Sequence, residues 1–139
     1  MHKKTVLLSV IAALLLCGCL SFPKTESEFR TNAHIKNRFV VDRSLSDSYK
    51  VILDNANRCY DIDLLPWGRN TVHTKQIDAN SAVITVESNT TAGSGIAQMF
   101  DLTSITQTST EIIAYHTKLS SRTAQQAAEG WFKGNRKCS

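Results

Sequence analysis

Residues 71–118 read TVHTKQIDANSAVITVESNTTAGSGIAQMFDLTSITQTSTEIIAYHTK. Four stretches within them, 71–77, 82–87, 96–103 and 111–118, are rich in β-branched and aromatic residues. Asn, Gly, Ser and Thr fill the intervals, as turns require. Connections this short join antiparallel neighbours, because a parallel crossover needs a dozen residues or more. The segment therefore predicts a meander of four antiparallel strands.

Just before it, Tyr49, Ile52, Leu53, Ala56, Cys59 and Tyr60 recur at the spacing of one helical face, which predicts an amphipathic helix with Cys59 on its core side. Ser46 is a candidate N-cap, Asp47 suits the positive end and Arg58 the negative end. Further upstream, Arg38-Phe39-Val40-Val41-Asp42 is a short apolar run suited to another strand. Leu64-Leu65-Pro66-Trp67-Gly68 reads as the turn from helix to meander. Beyond the meander, Ala124, Ala127, Ala128 and Trp131 mark a second amphipathic helix, with Ser121 as candidate N-cap and Gly134 as terminator. Gln125, Gln126, Glu129 and Lys133 fall on its wet side, the last two spaced to pair. The expected fold class is α+β, an antiparallel sheet of four to five strands packed by two helices in the order β-α-β4-α. A chain of 139 residues, 42% of them apolar, suffices for one such domain and excludes a multidomain enzyme.

Residues 1–19 have a different character. His2, Lys3 and Lys4 give a positive start, and residues 5–16 are an uncharged apolar run, as in a signal segment. Twelve helical residues span roughly 18 Å, too short for a hydrocarbon core of about 30 Å. At its end, Leu16-Cys17-Gly18-Cys19 resembles the lipobox of bacterial lipoproteins. The resemblance implies that Cys19 receives a diacylglyceryl group, that residues 1–18 are cut away, and that the new terminus is acylated, as with palmitate. Two or more such chains anchor a protein stably, whereas one does not. Leu20 stands where enteric-type lipoproteins carry an aspartate for inner-membrane retention, so the resemblance implies sorting to the outer membrane with the domain facing the periplasm. The alternative is a plain secretory signal whose cysteines are ordinary apolar positions. Residues 19–35, with Pro23, Ser21, Thr25, Ser27, Thr31 and Asn32 and no sustained apolar period, are expected to be the lipidated terminus and a flexible tether with a reach of roughly 20 Å. Residues 36–139 are the single domain.

The four cysteines divide accordingly. Cys17 leaves with the signal and Cys19 carries lipid, so Cys59 and Cys138 remain, a pair expected to be a disulfide in an oxidising compartment. Two unpaired thiols are the alternative. The formal charge of +4 falls to +2 without Lys3 and Lys4, too mild for nucleic-acid binding.

The order of elements over residues 36–138 resembles the helix-grip, or TBP-like, arrangement found in BamC-type outer-membrane assembly lipoproteins. That resemblance implies a long helix lying across a curved sheet. Candidates for chemistry are sparse. His34, His73 and His116 lack a ligand partner at recognised spacing, and the two strand histidines, each in a His-Thr-Lys triplet, are expected to face solvent. Thr91-Ala92-Gly93-Ser94-Gly95 fits a hairpin loop rather than a phosphate cradle or nucleophile elbow. Asp61 and Asp63 share one side of an extended segment and are expected to be solvated. Ser94 and His116 are the conceivable nucleophile and base, without a third group. No catalytic residue, cofactor or metal is therefore expected. The expected function is a non-catalytic, lipid-anchored envelope protein that binds a protein partner or supports an assembly. The alternative is a carrier or sensor holding a small apolar ligand between helix and sheet, in a pocket lined by Ile84, Phe100, Ile112 or Trp131.

Overall fold

The computed structural model describes residues 22–33, 35–63, 66–91, 93–117 and 122–138. The signal segment, Cys19, His34, Leu64, Leu65 and the Ser121 cap lie outside them. The elements are α1 (Glu26–Asn32), β1 (Ile35–Val41), α2 (Leu45–Tyr60), β2 (Gly68–Asp78), β3 (Ser81–Thr90), β4 (Gly93–Thr106), β5 (Ser109–His116) and α3 (Arg122–Phe132). One five-stranded sheet has the order β1-β5-β4-β3-β2, with every neighbouring pair antiparallel. The α+β class and the antiparallel sheet stand as expected, and α1 is the element that the sequence reading did not include.

Strand parity divides the core into two clusters. On one face Phe39, Ile84, Phe100, Leu102, Ile112 and Ala114 meet Ile52, Ala56 and Cys59 of α2 and Ala127, Ala128 and Trp131 of α3. Each helix thus buries the stripe that its period marks out. On the other face Val83, Ile96, Met99 and Tyr115 surround Phe29 of α1. A bulge makes this second cluster possible. Val86 pairs with Gln98 but Glu87 pairs with Ile96, leaving Ala97 as an extra residue that turns Ile96 to the α1 side.

Helix α1 corrects the tether expected over residues 19–35. Thr25 Oγ1 accepts from the Glu28 amide at 3.1 Å, and the single apolar side chain of the helix, Phe29, is fully buried. Burial of one such ring is worth about 2–3 kcal/mol. The folded part therefore starts near Phe22, well before residue 36.

The cap of α2 is also corrected. Ser44, not Ser46, precedes the helix, and its Oγ accepts from the Asp47 amide at 3.2 Å. Ser46 is exposed within the first turn. Ser44→Ala is expected to cost about 1 kcal/mol in chemical denaturation and Ser46→Ala less than half of that, about 0.5 kcal/mol or below. The reverse ranking would reinstate Ser46. At the other end, α3 stops as expected at Gly134, whose φ of +80° is open to glycine, with Asn135 N–H donating to Gly130 O at 2.9 Å. Glu129 does not pair with Lys133; it accepts from Asn37 Nδ2 of β1 at 2.9 Å.

Candidate functional site

Three features stand out once the fold is in place. The first is the closure of the helical layer. Cys59 ends the buried stripe of α2, and the chain after α3 folds back so that Cys138 bonds to it, with the Cα atoms 5.3 Å apart. Trp131 supports this return, since its Nε1–H donates to Lys137 O at 3.1 Å and its ring lies 6.2 Å from Tyr60 and 6.1 Å from Phe100.

The second is the clamp on the N-terminal segment. Arg30 of α1 reaches Asp101 of β4 through two hydrogen bonds, Nε to Oδ2 and Nη2 to Oδ1, both 2.7 Å. Such a bidentate pair fixes both position and angle. The hydrogen bonds to Asp101 hold the guanidinium more firmly protonated than usual, although burial opposes this. Pro23 O accepts from the Ile96 amide at 2.8 Å, extending the attachment almost to Phe22. A cleft of about 480 Å³ lies alongside, lined by Lys24, Thr25, Glu26, Ser27, Arg30, Lys75, Thr85 and Ile96. Within it Glu26 approaches both Arg30 at 3.6 Å and Lys75 at 3.7 Å.

The third is a polar patch inside the apolar layer. His116 pairs across the sheet with Gln98, on the α2 side, and is fully buried rather than solvent-facing. Its ring meets Phe100 edge-on at 6.3 Å. Both of its ring nitrogens, Gln98 Oε1, Asn70 Oδ1 and Tyr60 Oη are buried without a hydrogen bond among the described residues. Burial alone pulls the His116 pKa down to about 4, so the ring is neutral at pH 7. Burial also raises that of the Tyr60 phenol, with the neighbouring Gln98 amide opposing.

The remaining candidates are scattered. His73 lies on β2, with β3 and β4 between it and His116, exposed, with Nε2 3.3 Å from Glu87. Ser94 is exposed near the start of β4, four residues before Gln98, so it does not meet His116. Asp61 and Asp63 share a direction as expected, and both face Arg69, at 3.4 and 3.6 Å. The glycine-rich stretch contributes a shorter loop than expected, because Gly93, Ser94 and Gly95 already pair with β3. Ile84, Phe100, Ile112 and Trp131 pack into one cluster, none more than 5% exposed. A separate groove of about 340 Å³ runs between the start of α2 and the β2–β3 turn, past Leu45, Ser46, Tyr49, Gln76, Ala79 and Ala82. Among the described residues no helix is long and apolar enough to cross a membrane, and no three His, Cys, Asp or Glu side chains gather as a metal ion requires.

The clamp and the His116 patch are what sequence reasoning missed. The Thr25-x-x-Glu28 capping pattern marks α1, and strand parity marks His116. No protein-family model and no curated protein matches this sequence.

Proposed function

We propose that the chain is a lipid-anchored lipoprotein of a bacterial envelope whose folded domain serves as a non-catalytic interaction or assembly module. The observation that carries this reading is the motif Leu16-Cys17-Gly18-Cys19, placed three residues before a domain closed by Cys59–Cys138. The disulfide suits an extracytoplasmic compartment. The separation of His73, His116 and Ser94 supports a module that works by contact, because acid–base or nucleophilic chemistry needs such groups within hydrogen-bond reach. The two-helix layer on one sheet face also supports kinship in shape with helix-grip domains, though shape does not specify activity. The outer membrane, with the domain facing the periplasm, is the location that Leu20 favours. The groove at Leu45 and Tyr49 is where the second reading, a carrier of small apolar molecules, would place its ligand.

In a bacterial host the protein is expected to carry acyl mass on Cys19 and to fractionate with membranes. Cys19→Ala should abolish the modification, whereas globomycin, which blocks the cut before Cys19, should leave residues 1–18 attached to a chain that already bears the diacylglyceryl group. An unmodified wild-type chain of unchanged mobility by mass spectrometry would end this reading.

A further inference from the structure

We infer that the domain sits directly on the bilayer, with Trp67 seated among the headgroups of a phospholipid surface at the sheet end from which the N-terminal segment leaves. This inference rests on the reading of Cys19 as the lipid attachment point.

Chain geometry supplies the first step. The segment is held from Phe22 onward: Phe22 lies against Gly95 closely enough that a Cβ there would meet it at 2.6 Å, and Pro23 O accepts from Ile96. Cys19 precedes Phe22 by three residues, and an extended chain covers at most about 3.6 Å per residue. The Cα of Cys19 therefore lies no more than about 11 Å from that of Phe22. That distance is comparable with the headgroup layer, roughly 5–7 Å deep on each side of a bilayer. A long leash is ruled out once the segment is clamped.

The second step is what else occupies that end. Gly93 pairs with Thr90, Thr90 pairs with Gly68, and the Thr91 amide donates to Trp67 O at 3.1 Å. Trp67 is thus anchored by its backbone at the same sheet end as the Phe22 contact at Gly95, two strands across and three residues along from it. Its side chain is 68% exposed, and Ile62 nearby in the chain is 41% exposed. The exposed Ile77 and Ile105 lie toward the opposite ends of β2 and β4, and Val40 near the far end of β1. Trp67 is the aromatic among the exposed large apolar side chains described, and indole favours the membrane–water boundary, where its ring and N–H are both satisfied.

Charge agrees with this orientation. Arg69 stands two residues from Trp67 and offsets half of the charge of Asp61 and Asp63. The disulfide ties Arg136 and Lys137, both exposed, to the end of α2 from which the Trp67 loop departs. The opposite end carries exposed Asp42, Asp47 and Asp78 against Arg43. An anionic surface attracts the first end and repels the second.

The test uses the full chain purified with its lipid from a bacterial host and reconstituted into vesicles of phosphatidylethanolamine and phosphatidylglycerol bearing brominated acyl chains. The chain has two tryptophans, so the spectrum of wild type minus that of Trp67→Phe reports Trp67, and the variant itself reports buried Trp131. Trp67 emission is expected to fall about twofold or more relative to unbrominated vesicles, with Trp131 unchanged, as for an indole at the interface. Acyl mass on Cys19 together with unquenched Trp67 that remains open to aqueous acrylamide would overturn the seating and leave the anchor intact, freeing Trp67 for a protein partner. A chain without acyl mass on Cys19 would overturn both.

Discussion

Replacing Cys59 and Cys138 together by alanine is expected to destabilise the domain by about 4 kcal/mol, the largest loss from any covalent change open to it. The bond closes a loop with a sequence separation of 79 residues. Chain-entropy reasoning assigns such a closure on the order of 4–5 kcal/mol, through the freedom it removes from the unfolded chain. Small domains have about 5–15 kcal/mol in total, so the loss is a large fraction. The native contacts beneath the bond persist in the variant, since Trp131, Tyr60 and Ala128 pack without it. Urea titration of the oxidised protein and the double variant measures the effect as a fall in midpoint. A loss below about 1 kcal/mol would show that the bond contributes little beyond joining a tail already held by Trp131.

Acidification is expected to weaken the fold through His116. A buried neutral imidazole with a pKa of about 4 binds its proton less readily than the same group in the unfolded chain, at 6.5. The unfolded state therefore takes up more protons between those values, and stability falls as the pH drops from about 6.5 toward 4, then levels off. The full span corresponds to about 3 kcal/mol, of which about 2 kcal/mol is lost between pH 7 and pH 5. His116→Leu keeps the approximate volume and removes both unpartnered nitrogens, so its stability should be flatter over that interval by the same amount. Denaturation at pH 7 and pH 5 isolates the difference, because the carboxylates common to both proteins cancel. Parallel losses in wild type and variant would refute the assignment.

The parts of this fold that were readable share a property: each has several apolar residues in one local period. Ile52, Ala56 and Cys59 mark α2 without any knowledge of what covers them. Helix α1 has only Phe29 to bury, and one residue makes no period; its capping pattern was present but short. Parity could have located His116. Ile112 and Ala114 face inward on β5, and His116 is the next residue on that side, whereas His73 follows the inward Val72 and must point out. The identical triplets around the two histidines hid a difference that depends on strand alternation. The Arg30–Asp101 clamp joins residues 71 apart, so nothing local announces it. Cys59 and Cys138 were legible because the expected pairing rested on cysteine count and an expected oxidising compartment rather than on proximity.

The partners of the first folded segment are made late. Residues 35–41 pair with 110–116, and Arg30 waits for Asp101. A chain emerging from its N-terminus can form the β2–β3 and β3–β4 hairpins early, since their contacts are local. Residues 22–41, by contrast, have no docking surface until β4 and β5 have appeared. That delay is an interval written into the topology: residues 22–41 stay undocked until β4 and β5 exist, and completion of the sheet then draws them in against the domain.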